Sequence, residues 1–201
     1  MTENAQNFPI SVIICSYNPQ EDYLQRTLEA LRKQTLSSDR WELLLIDNKS
    51  TQPLAERVDL GWKPKARIIR EENAGLTHAR VRGINESKGG ELLVFVDDDN
   101  VLSNNYLEVT ESISRRHPNL GAWSGQVLPE FEVSPPIEIE PFLGVLCIRK
   151  LNSDYWGNHC DTGKLPFGAG MVVRNSVARA YAANIANKPK RLELDRSGNT
   201  L

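Results

Sequence analysis

The sequence predicts an α/β fold: a mostly parallel sheet covered by helices on both faces. Three observations predict it. Four short runs, residues 9–15, 41–46, 67–69 and 91–96, are rich in apolar and β-branched side chains, as strands buried on both faces are. Segments with helical periodicity stand between them, so strand and helix alternate as parallel crossovers require. Polar clusters at 16–18, 47–51 and 97–100 directly follow three of the runs. A parallel sheet puts those exits on one edge, and ligands bind beyond the carboxyl ends of such strands.

Each element has its own signal. Residues 9–15 form the first strand, and Ser16-Tyr17-Asn18-Pro19 forms its exit loop. Over 21–33, Leu24, Leu28 and Leu31 share one helical face. The second strand, 41–46, closes in Asp47-Asn48-Lys49-Ser50, and a short helix is expected over 53–60, ended by Gly61. Residues 67–69 are the third strand. A helix over 75–85 carries Leu76, Ala79, Gly83 and Ile84 on its apolar face. Gly89-Gly90 breaks the chain before the fourth strand, and Ser103 is placed to cap a helix over 104–116. After Pro118 the rhythm changes. Residues 120–131 read as one long strand or a strand pair, interrupted by Ser134-Pro135-Pro136 and Pro141. Residues 168–173 are a strand entered through a glycine turn, and 177–186 an Ala-rich helix. The division is therefore 1–118, a ligand-binding α/β half, and 119–201, a partial second region of the same domain.

Composition narrows the function classes. The chain has 201 residues, 40% hydrophobic and 25% charged, with net charge −2. That balance excludes a general attraction to nucleic acid or to an anionic membrane, though not a local site for a compact anion. Cys15, Cys147 and Cys160 are too few and too scattered for a disulfide framework, and Cys15 reads as a small buried thiol. A cytoplasmic location, including the inner face of a membrane, is the expectation. Residues 1–7 lack a signal-peptide apolar block, and no transmembrane segment is expected in this chain.

The acidic run Asp97-Asp98-Asp99 is the strongest chemical signal. Adjacent carboxylates repel unless a cation neutralises them, and oxygen-only ligands suit hard divalent ions. In an extended segment Asp97 and Asp99 point one way and Asp98 the other. The alternative is a solvated acidic turn or a capping cluster. Asp47 suits either an Asx turn onto Lys49, Ser50 or Thr51 or a contact to a base or ribose. Arg80, beside the apolar face of its helix, needs an anionic partner: Asp47, Asp97 or a ligand phosphate. His78 reads as a surface or packing residue. His159-Cys160-Asp161 lacks the matching second pair of a metal site.

The ordered set of residues 11–18, 45–51, Asn73-Ala74-Gly75-Leu76 with Ala79-Arg80, and Phe95-Val96-Asp97-Asp98-Asp99 resembles the family-2 glycosyltransferases. Each motif alone is weak, but the four in order and at this spacing are specific. Gly168-Ala169-Gly170-Met171 resembles a later acceptor-side motif. The resemblance implies a GT-A, Rossmann-like fold with its C-terminal part incomplete. It also implies an inverting transfer from a nucleotide-diphospho-sugar to a saccharide or lipid-linked acceptor. By the same resemblance Ser16, Tyr17 and Asn18 line the nucleotide pocket, Asp47 contacts base or ribose, and Arg80 lies near the base and Asp47. Asp97 and Asp99 match the family's DxD signature and hold Mg2+ or Mn2+, Asp98 falls at its variable middle position, and Asp97 and Asp98 are both expected among the donor-binding residues.

One family feature is missing. A second acidic motif, which supplies the catalytic base, is expected after the Gly-Ala strand, where this chain offers only Glu193 and Asp195. The expectation is a truncation, with the base beyond Leu201, or a donor-binding domain without turnover. A sugar nucleotidyltransferase is disfavoured, because the loop 16–20 has neither glycine nor a basic residue to hold a triphosphate. A dehydrogenase is disfavoured because no GxGxxG follows the first strand. Residues 131–164, rich in Pro and aromatics, are expected to shape the acceptor side. Tyr155 and Trp156 are read there as packing residues or sugar-stacking rings.

Overall fold

A computed structural model describes residues 9–88, 90–158, 165–188, 190, 192 and 195. His159-Cys160-Asp161 and Glu193 lie outside the described residues.

Parallel strands β1 (Ile10–Ser16), β2 (Trp41–Asp47), β3 (Ala66–Arg70) and β4 (Leu92–Asp97) form most of a six-stranded sheet. It is completed by β5 (Ala122–Trp123) and β6 (Met171–Arg174), in the order β3-β2-β1-β4-β6-β5. Strand β6 is antiparallel to both neighbours. Strand alternation divides the core into two layers. Ile10, Val12, Ile14, Leu43, Leu45 and Val94 face α1 (Glu21–Arg32) and α3 (Tyr106–Arg116). Ile13, Leu44, Ile46, Leu93 and Phe95 face α2 (Leu76–Glu86) and α4 (Asn175–Ala186). Each fully buried Leu or Ile contributes about 1.5–3 kcal/mol, so a one-residue slip of register would expose a whole layer. The register aligns Ser16 with Asp47 and Cys15 with Asp97, which puts three strand exits side by side.

Several sequence expectations change. The helix over 53–60 shrinks to one 3₁₀ turn, Leu54–Glu56, whose first N–H, that of Leu54, is taken by the Asp47 carboxylate, and after Val58 the chain goes on in separate turns that close at Lys63 and Ala66. Over 120–131 only Ala122–Trp123 is a strand, followed by a bridge between Val127 and Arg149. Beyond it the chain is drawn across α1, where Glu130 pairs with Arg26 and Glu132 accepts from Tyr23. Residues Ile137–Leu146 wind as a 3₁₀ segment that the sequence reading missed. Helix α3 begins at Tyr106 with Asn105 at its cap position, and Ser103 contributes its carbonyl to the Tyr106 N–H rather than its hydroxyl. Leu76, assigned to the apolar face of α2, is 36% exposed, while Ala79, Gly83 and Ile84 are buried as expected.

Candidate active site at the carboxyl edge of the sheet

The loops leaving β1 and β2 brace each other. Asn18 has a left-handed backbone (φ 46°). Its N–H donates to Ser50 Oγ at 3.0 Å, and its Oδ1 accepts the Thr51 N–H at 2.8 Å. Asn18 therefore organises the loop, whereas Tyr17 beside it is half exposed and offers a free ring. Ser16 Oγ donates to Asp98 and ties the β1 exit to the β4 exit.

Asp47 is buried. Its Oδ1 accepts the Ser50 N–H at 2.9 Å, and its Oδ2 accepts the Leu54 N–H at 3.0 Å and Arg70 Nη1 at 2.8 Å. Burial works against its charge, but the Leu54 N–H, Arg70 and Ser50 prevail and hold the carboxyl below its ordinary value. The Asx-turn role is thus the one the geometry displays, and any donor contact would be additional to it. The arginine bound to Asp47 is Arg70, at the end of β3, and not Arg80. Sequence reasoning missed Arg70; its parallel register with Asp47 was the available signal.

Asn48, also missed, joins β2 to α2. Its Nδ2 donates to the Asn73 carbonyl at 2.7 Å, and its Oδ1 accepts the Gly75 N–H at 2.8 Å. Gly75 has φ +136°, a conformation that L side chains rarely adopt. Arg80 lies one turn further along α2, on the face that looks to the β4 exit. A Cβ on Gly168 would sit 2.9 Å from Arg80 Nη2 and 3.7 and 3.8 Å from the two Asp97 carboxylate oxygens. Guanidinium, carboxylate and glycine backbone thus meet at one point. Gly170 (φ +78°) completes the turn, held by the Tyr106 hydroxyl on its carbonyl. Cys15 lies half-buried beside this group. Burial pushes its thiol up to about 12, against the pull of Arg80, so it is inert as a nucleophile.

The three aspartates part company. Asp97 lies on the α2 face with Arg80. Asp98 lies on the α1 face, where Ser16 donates to its carboxylate and Thr27 Oγ1 donates to its carbonyl at 3.1 Å. The extended geometry ends at Asp97, because the chain turns there and the Asn100 N–H returns to the Asp97 carbonyl at 3.2 Å. Strand alternation therefore does not fix where Asp99 points; it is exposed, with Asn100 Nδ2 on its Oδ1. Burial raises the carboxyls of Asp97 and Asp98 above their ordinary value, with the Asp99 charge adding to it, against the pull of Arg80 on Asp97 and of the Ser16 hydroxyl on Asp98. Such a concentration of partly desolvated negative charge fits a hard divalent cation. Among the described residues no three His, Cys, Asp or Glu side chains form a complete metal cage, so a cation here would need oxygens from a ligand.

Two clefts lie apart from the Arg80, Asp97 and Gly168 group. One of about 250 Å³ runs between α1 and residues 57–62. The other, of about 520 Å³, lies at the end of α3 near Arg116, His117 and Trp156. Trp156 meets His117 edge-on at 4.8 Å, so its contact is with the end of α3. Among the described residues no helix is long and apolar enough to cross a membrane.

The profile of "Glycosyl transferase family 2" matches residues 11–164. The chain belongs to that family. Glycosyltransferase AglE of Haloferax volcanii is 34% identical over 93 residues, which are 45% of this chain and 30% of AglE. The family chain overlays Staphylococcus aureus TarS with TM-score 0.63 at 18% identity, covering 87% of this chain and 49% of that one. TarS in complex with UDP-GlcNAc aligns at 0.54 and 21% identity, over 64% of this chain and 37% of that chain. The mannosyltransferase PcManGT of Pyrobaculum calidifontis, in complex with GDP-Man and Mn2+, aligns at 0.51 and 23% identity, over 61% and 36%. These overlays establish the GT-A glycosyltransferase fold. The chain spans less than a third of AglE and about half of that TarS chain.

Proposed function

We propose that this chain carries the donor site of an inverting glycosyltransferase, which moves a sugar from a nucleotide-diphospho-sugar to an acceptor hydroxyl. The observation that carries this reading is the meeting of Arg80, Asp97 and Gly168 at the carboxyl edge. It puts a cation, an anion and an uncluttered backbone turn where α/β sheets bind ligands. The exposed Tyr17 ring offers a stacking surface for the base. Among the described residues the Arg80 guanidinium makes no hydrogen bond or ion pair of its own, which leaves it available to a diphosphate oxygen. The PcManGT complex with GDP-Man and Mn2+ and the TarS complex with UDP-GlcNAc support the donor class.

Asp97 and Asp99 are the residues that would hold Mg2+ or Mn2+. When bound, that ion supplies Lewis-acid stabilisation of the departing diphosphate. Asp98, tied to Ser16 and Thr27, keeps the β4 exit against β1 and so fixes its neighbours. The acceptor hydroxyl attacks the anomeric carbon from the face opposite the diphosphate, and a carboxylate base takes its proton. No residue named above is assigned to that base.

A thermal-shift and calorimetric panel of UDP-, GDP- and dTDP-sugars with Mn2+ tests the donor site. Saturable binding that depends on Mn2+ and disappears in Asp99→Ala is expected. No binding of any member, or equal affinity with and without Mn2+, would reject the assignment.

A further inference from the structure

Helix α2 lacks the means to cap itself. Its cap position is Gly75, which has no side chain, and its first turn contains no acidic residue. Four N–H groups at a helix start have no partner within the helix. Two of those at α2 are met by side chains from elsewhere. Asn48 Oδ1 takes the Gly75 N–H at 2.8 Å. Asp195 Oδ2 takes the Thr77 N–H at 2.7 Å, from 118 residues further along the chain. Asp195 packs so closely that a Cβ on Gly75 would fall 2.4 Å from its Oδ2.

Topology explains how a residue so distant in sequence arrives here. Strand β6 runs antiparallel to β4, so it starts at the carboxyl edge and ends at the opposite one. Helix α4 then runs back against α2 and returns the chain to the carboxyl edge. The segment after Ala186 therefore emerges beside the start of α2. The turn it meets, 75–79, leads directly into Arg80, three residues after Thr77 and on a neighbouring surface of the helix.

We infer that Asp195 is a positioning residue for the donor site. Its carboxylate supplies the cap that α2 lacks, steadies the helix start through hydrogen bond and dipole, and thereby sets Arg80 against Asp97 and Gly168. This inference rests on the donor-binding reading above.

The test compares the chain with Asp195→Ala and Asp195→Asn. Amide exchange at Thr77 reads the cap, and calorimetric titration of UDP and GDP with Mn2+ reads the donor site. In Asp195→Ala, exchange at Thr77 rises roughly 3- to 30-fold, the range of a lost helix cap, and nucleotide affinity falls by a similar factor. Asn, which keeps an oxygen acceptor, restores most of both. Unchanged exchange at Thr77 overturns the cap. Faster exchange with unchanged affinity overturns the positioning role, and tighter nucleotide binding in the Ala variant would show a carboxylate competing with the ligand instead. Failure of the unaltered chain to bind either nucleotide rejects the donor reading itself and the positioning role with it; the exchange measurement then still decides the cap.

Discussion

Arg70 Nη1 lies 2.8 Å from Asp47 Oδ2, and the same oxygen accepts the Leu54 N–H. The pair ties the ends of β2 and β3 to the loop between them. Asp47→Ala strands two backbone amides at a buried position, while Arg70 keeps the Ser50 carbonyl and Glu72, and unfolding free energy falls by about 1–3 kcal/mol for each amide left without an acceptor. Arg70→Ala leaves the amides satisfied and costs less. The carboxyl of Asp47 is held below 3.8. Its contribution is therefore complete above that pH and is lost as pH falls through the lower folded-state value. Thermal melts between pH 2.5 and 6 should show an acid loss in the natural chain that is shallower in Asp47→Asn.

Arg80 should behave in the opposite way. It makes no protein hydrogen bond among the described residues, and its neighbours are Asp97 and Gly168. Arg80→Ala leaves the melting temperature within a few degrees but weakens nucleotide-diphosphate binding roughly 10- to 100-fold, the worth of a charge-assisted contact. Calorimetry on this variant beside Arg70→Ala separates the two arginines: one should alter affinity, the other stability.

Burial already disfavours the charged forms of Asp97 and Asp98, and Asp99 adds to the repulsion. Asp97→Asn removes one of three adjacent negative charges. At neutral pH without divalent ions it should melt at or above the temperature of the natural chain. On the proposed metal site, the order reverses with Mn2+ and a nucleoside diphosphate, because the variant would lack one carboxylate charge facing the cation. A melting series with and without Mn2+ checks both signs.

Gly83 tests the packing of α2 on the sheet. A Cβ there would fall 2.5 Å from Ile13 Cγ2, inside the buried layer. Gly83→Ala should cost about 1–3 kcal/mol by overpacking, despite the better helix propensity of alanine. Chemical denaturation measures it, and a stabilised variant would show that the layer can yield.

Much of this was legible in the sequence because it is written in local pattern. The parallel strands end within a residue of their apolar runs, and the polar clusters after β1, β2 and β4 share an edge as that topology demands. What escaped depends on pairings between distant segments. Arg70 and Asn48 look like ordinary polar residues until the register puts one beside Asp47 and the other across from Gly75. The region after Pro118 was harder for the same reason. Its β-prone residues 120–131 find one short strand pairing and a single bridge, and the chain is then held by α1 through Glu130 and Glu132, contacts that no periodicity encodes.

The reversal of β6 has a practical consequence for anyone handling the protein. A fusion partner joined ahead of Ile10 leaves from the edge opposite the aspartates. One joined after α4 begins among the loops that surround them. Purification tags and reporters attached on the two sides should therefore differ in their interference with ligand binding at that edge, the attachment after α4 being the obstructive one.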